Sequence, residues 1–247
     1  MRNKTFLLLI VIGLFLLPVG AFADALGTAT FNLFSSGGTD TLDAGTGMLS
    51  GSNIPVRQVT GTGTQLNNNG IFAITDGFLS YTTTGKIGTA WSGWTGGSFT
   101  VTGCIISAGL TIENNGACDA SNPLNNPVLI SGNFQQVSII PIFSTAANVS
   151  GSINGSIDQD LAAAYGLSTS FSGGVLTNNL SSTTGLTKDS AFTGAKSTGG
   201  SISVQAAIVS VPEDWSVSFA FVFFGFALAT FGLASRFGVL RCKGLLG

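Results

Sequence analysis

Two carboxylates that flank a cysteine, Glu113 and Asp119, have the right side chains for the acid/base pair of a glycoside hydrolase. Nothing in the sequence fixes their separation, and Glu113-Asn114-Asn115-Gly116 reads more simply as a solvated turn. Asp158 and Asp160 form a second pair. They suit a helix start better than a reaction: Asp158 caps, Asp160 lies in the first turn, Leu161 to Tyr165 follow, and Gly166 is placed to stop the helix. Asp76 is the remaining candidate for a carboxylate-only hydrolase. The chain has no histidine. Ser-His-Asp and Cys-His sites cannot be assembled, His-containing zinc and iron sites are excluded, and the usual general base near neutral pH is missing. No catalytic, cofactor-binding or metal-binding residue is assigned, and the chain is not read as an enzyme.

Trp91 and Trp94 lie near Tyr81 and Phe99 and are candidates to stack on sugar rings. An aromatic core is the competing role. Three positions apart on one strand, the two indoles would point to opposite faces, so at least one is expected inside. Cys104 and Cys118 are the thiols of the central region, and in an exported domain they read as one disulfide. Closing a loop of this size contributes about 3 kcal/mol in the chain-entropy model. Two free buried thiols are the alternative. Cys242 is expected in a different compartment.

Charge narrows the partners. Only 8% of residues are charged. From Asp24 to Asp214 there are 11 carboxylates against Arg57, Lys86, Lys188 and Lys196, a balance of −7. With no basic patch to release counterions, a nucleic-acid partner is not expected.

The elements that would position these residues are strands. Phe99 and Val101 alternate with Ser98, Thr100 and Thr102. Val149, Ile153 and Ile157 share a face opposite Ser150, Ser152 and Asn154, and Ile202 to Ile208 alternate likewise. Asn67-Asn68-Asn69-Gly70 and Asn125-Asn126-Pro127 supply turns. Ten or more short strands are predicted, near 27–34, 46–60, 70–83, 89–94, 98–106, 127–133, 135–143, 147–157, 170–177 and 198–210. The expected fold is all-β: an antiparallel β-sandwich, jelly-roll-like, with one short helix. A β-solenoid is the alternative, though no fixed-period repeat is present. Gly37 to Gly45 resembles a calcium-binding nonapeptide of the RTX type, with paired glycines and Asp-Thr-Leu. Such sites form between tandem copies, so a glycine-rich loop is the expectation here.

The two ends differ from the middle. Arg2 and Lys4 precede the apolar run Phe6 to Leu17, followed by Pro18 and Ala21-Phe22-Ala23. This is the order of a secretory signal peptide over 1–23, cleaved after Ala23 with Ala21 and Ala23 as the small residues. An uncleaved signal anchor is the alternative. The exported domain is then 24–210. Residues 216–235 carry no charge and at helical rise span about 30 Å, so an N-terminal signal helix and a C-terminal transmembrane helix are expected at the two ends. Glu213 and Asp214 precede the second run, and Arg236, Arg241 and Lys243 follow it. The basic tail, 236–247, is placed in the cytoplasm and the large domain outside.

Val211-Pro212-Glu213, the apolar run and Arg236 together resemble the PEP-CTERM sorting signal of exopolysaccharide-producing, mostly Gram-negative bacteria. The resemblance covers about residues 211–247. Asp214 stands where that family usually has a second proline, and the tail runs on beyond Arg236. The resemblance implies recognition by exosortase, a membrane transpeptidase-like protease. The expected partners are the secretion translocon, signal peptidase, an exosortase-like protease, the membrane and exopolysaccharide. The expected role is a structural or adhesive protein of the envelope or matrix, held at the membrane or released after processing. An exopolysaccharide-binding module is the alternative.

Overall fold

The computed structural model describes residues 25–34, 37–86, 88–114, 118–119, 121–122 and 125–209. The expected signal segment with Ala21 and Ala23 lies outside them. So does the sorting segment with Val211, Pro212, Glu213 and Arg236, including the expected spanning helix at 216–235. Among the described residues, no helix is long and apolar enough to cross a membrane, so that part of the expected fold has no counterpart here.

The strands are β1 (Leu26–Leu33), β2 (Thr39–Leu42), β3 (Leu49–Thr62), β4 (Ile71–Thr83), β5 (Ser92–Trp94), β6 (Gly97–Ser107), β7 (Leu110–Ile112), β8 (Val128–Phe143), β9 (Ala146–Ile157), β10 (Leu167–Ser181) and β11 (Phe192–Ile208). One helix, α1 (Gln159–Tyr165), joins β9 to β10. Alternation explains the strands: β1 buries Ala29, Phe31 and Leu33 and half-exposes Thr28, Thr30 and Asn32 between them.

These strands close on themselves. The ring runs β8-β9-β10-β11-β1-β3-β4-β6 and returns to β8, every neighbour antiparallel. Closure pairs β1 with β11, Phe31 against Ile202, and β6 with β8, Val101 against Ile130. The expected β-sandwich is therefore corrected to an eight-stranded up-and-down barrel, and the solenoid alternative falls with it. Closure satisfies the backbone groups that two open sheets would leave at their edges. One wall position is shared. β1 occupies its first half, against Gly200 of β11 and Val56 of β3 at Leu33, and β2 its second half, against Lys196 and Ser52 at Thr39.

The inward faces fuse into one apolar cluster that includes Phe31, Phe99, Phe134, Val149, Leu176 and Ile202. Rings interlock across it: Phe134 packs edge-on to Tyr81 at 6.0 Å and tilted to Phe99 at 5.9 Å. Helix α1 covers one rim. Asp158 Oδ1 accepts from the backbone N–H groups of Asp160 and Leu161, and Gly166 ends the helix at φ 67°. Leu161, Ala162 and Tyr165 are buried, and the Tyr165 hydroxyl donates to Val59 O at 3.0 Å. The loops of the other rim are tied together by Trp91, Trp94 and Asp189.

Candidate functional site

The expected sugar-stacking pair is inside. Trp91 and Trp94 are 2% and 1% exposed. The Trp94 indole N–H donates to Gly47 O at 2.7 Å, in the turn between β2 and β3, and Lys86 Nζ stands 3.5 Å over its ring. The Trp91 indole N–H donates to Ser190 O at 3.0 Å, its backbone N–H donates to Asp189 Oδ1 at 2.8 Å, and its ring meets Phe192 edge-on. Both indoles plug the rim that α1 does not cover. The stacking reading is corrected: neither ring offers a face to a ligand. Both are buried although they are three positions apart, because Trp91 precedes the first residue of β5 and the strand alternation does not extend to it.

Among the candidate carboxylate residues, Asp76 and Asp119 are linked through Asn126, which donates from Nδ2 to Asp76 O at 3.2 Å and accepts at Oδ1 from the Asp119 N–H at 2.8 Å. Asp158 and Asp160 belong to the start of α1. Asp119 closes its own turn, accepting from Ser121 N–H, Ser121 Oγ–H and Asn122 N–H, and these donors hold its carboxyl below the ordinary range. Asp43 does the same with Gly45 and Thr46 at the end of the segment that resembles a calcium loop. Among the described residues, no three His, Cys, Asp or Glu side chains are placed to hold a metal ion. Cys104, on β6, and Cys118 are joined by a disulfide with Cα atoms 5.9 Å apart. It ties the long β7–β8 connection to the barrel wall.

Two features went unread in the sequence. The first is a polar network inside the barrel. Asp40, in the middle of the expected glycine-rich loop, is on β2 and has no exposed surface. It accepts from the Tyr81 hydroxyl and from Asn178 Nδ2, at 3.2 Å to Oδ1 and 3.1 Å to Oδ2, and Asn178 Oδ1 accepts from Ser197 Oγ at 2.6 Å. Burial pushes the Asp40 carboxyl up to about 7, although the Tyr81 and Asn178 hydrogen bonds pull it down. Burial also raises Tyr81, with the Asp40 charge adding to it. The signal was present: Asp40 shares strand parity with the buried Leu42.

The second is a groove of about 540 Å³ on the barrel wall. It lies where β3 and β4 are both irregular: β3 shifts register between Gly51 and Ile54 and between Val56 and Gln58, and β4 shifts against β6 between Thr75 and Phe78. Bulges bend strands and re-aim side chains. Asn53 and Asp76 take φ of 53° and 47°, a region that Asn and Asp enter more readily than other side-chain-bearing residues. Asn53, Pro55, Arg57, Asp76 and Phe78 line the groove. Arg57 is an exposed residue, and its guanidinium carbon lies 5.2 Å from the Phe34 ring centre.

The outer wall has a further regularity. A row of half-exposed, uncharged polar side chains crosses six strands in register: Ser138, Ser150, Thr177, Ser201, Asn32 and Gln58. Within it, Thr177 Oγ1 and Ser201 Oγ share a hydrogen bond at 3.3 Å. In the neighbouring row, Thr30 Oγ1 and Ser203 Oγ do so at 3.1 Å.

Comparison of the chain with family models, with curated proteins and with solved structures found no match in any of the three.

Proposed function

We propose that the chain is an exported, non-enzymatic protein of the bacterial envelope or extracellular matrix with a structural or adhesive role. The observation that carries this reading is the outer wall. Six adjacent strands present hydroxyls and amides in register with no charge among them, over a barrel whose interior is filled with side chains. A filled barrel is a rigid block, and what it offers to its surroundings is its outside. The disulfide suits an oxidising compartment. The address rests on the sequence, with the signal-peptide order at 1–23 and the sorting resemblance at 211–247.

The intact mass of the mature protein tests it. The proposal expects a chain that starts at Asp24 and is shortened near Val211-Pro212-Glu213 in cells holding the processing protease. A chain always intact through Gly247 would remove the sorting claim. Recovery of the protein from the cytoplasmic fraction with its first 23 residues attached would remove the export claim.

A further inference from the structure

We infer that the groove between the bulges of β3 and β4 binds a neutral sugar, one or two rings in size. The volume of about 540 Å³ lies within the range of small-molecule sites. A pyranose ring presents two chemistries at once: hydroxyls around its edge and C–H groups on its faces. The groove offers a counterpart to each. Asp76 supplies carboxylate oxygens that accept from hydroxyls. Arg57 supplies N–H donors in a planar fork, oriented by the Phe34 ring beneath it. Asn53 both donates and accepts, while Pro55 and Phe78 supply apolar surface for the C–H faces.

Charge decides between kinds of ligand. The lining carries one cation and one anion, Arg57 and Asp76, so it has no net preference for an ionised ligand. The surrounding domain is net acidic, which repels acidic polymers. The backbone supports a built site. Asn53 and Asp76 occupy left-handed conformations on facing strands, and each is a residue type that tolerates them. An ordinary pair of strands here would keep alternating and leave no recess.

The site does not rest on the export reading, because titration of the purified protein is independent of where the cell sends it. The experiment is calorimetric titration of the full-length chain with glucose, galactose, mannose and their disaccharides, with glucuronate and glycine as comparisons. Saturable millimolar binding of at least one neutral sugar is expected. Arg57→Gln and Asp76→Asn should each weaken it about tenfold, about the worth of one charge-assisted hydrogen bond. Asp76→Asn keeps a residue type that accepts the local backbone, so an unchanged melting temperature accompanies its loss of affinity. No saturable binding of any neutral sugar, binding by both variants as tight as that of the unsubstituted protein, or tighter binding of glucuronate or glycine would each overturn the proposal.

Discussion

The Tyr81 hydroxyl donates a hydrogen bond to Asp40 Oδ1 inside the barrel, joining β4 to β2 across a space lined with apolar side chains. With Asn178 and Ser197 it extends to β10 and β11, so four strands share one polar knot. Tyr81 and Asn178 donate to Asp40, and the backbone of Gly51 lies against its carboxylate. The knot holds in place the short strand that completes the interrupted wall position.

Stability should therefore depend on the ionisation of Asp40. Its carboxyl titrates at an ordinary 3.8 when unfolded and at about 7 when folded, so between these values the native state binds the extra proton. The contribution is fully present below about pH 4 and is lost as pH rises through about 7, a change of about 4 kcal/mol over the window. Asp43 and Asp119 act in the opposite sense. Their depressed carboxyls contribute above the ordinary carboxylate range and cease to do so as acid protonates them. The melting temperature should peak near pH 4 and decline toward pH 7, and Asp40→Asn should be level over the same interval. A wild-type curve with no decline there would refute this.

Gly51 makes the knot possible. A Cβ at this position would stand 2.4 Å from Tyr81 Cε1 and 2.7 Å from Asp40 Oδ1, closer than carbon and oxygen tolerate. Gly51→Ala should cost about 1–3 kcal/mol, the range for overpacking a filled core. Urea denaturation measures it. The double variant Gly51→Ala with Tyr81→Phe keeps the ring and its clash, so it should recover none of the loss.

Reduction of the disulfide offers a third test. Opening Cys104–Cys118 should lower stability by about 3 kcal/mol with little change in the far-ultraviolet spectrum. The bond constrains a connection and adds no strand. Equal denaturation midpoints with and without reductant would show that the connection is held by its other contacts.

The start of α1 gives the smallest effect. Asp158→Ala removes the acceptor for two backbone N–H groups and should cost about 1 kcal/mol. Amide hydrogen exchange should report faster opening at Asp160 and Leu161, while the amides of β1 and β11 keep their protection. Uniform loss of protection over the barrel would mean that α1 is needed for the whole fold to hold.

The strands were legible because alternation reports which side of a strand is buried. It does not report what lies opposite, so the same pattern served a sandwich and a barrel. Closure depends on Phe31 meeting Ile202 and on Val101 meeting Ile130, pairings that no local signal encodes. Helix α1 was legible from Asp158 and Gly166, since caps are local chemistry. β8 was expected as two strands near 127–133 and 135–143. It is one, and the apparent break is the register shift between Phe134 and Gln136. β2 was hidden by the glycines around it, and Asp40 with it, because a carboxylate argues against burial until its partners are known. The groove was hidden for a related reason: Asn53 and Asp76 are more than twenty residues apart, and only the register of β3 against β4 sets them on one recess.

The pairing of the first long strand with the last has a mechanical consequence. Ala25 and Ile208 are hydrogen-bonded neighbours, with Ile208 N–H donating to Ala25 O at 2.9 Å, so the chain enters and leaves the barrel at one rim and side by side. Tension applied through both ends would peel β1 from β11 one bond at a time, like a zipper. The same geometry makes the barrel a natural subject for circular permutation: a short bridge from 209 to 25, with a new opening at Ser144-Thr145, leaves every pairing of the ring intact. In such a rewired chain the weakest line under load would move from the β1–β11 seam to the edge of β8 and β9.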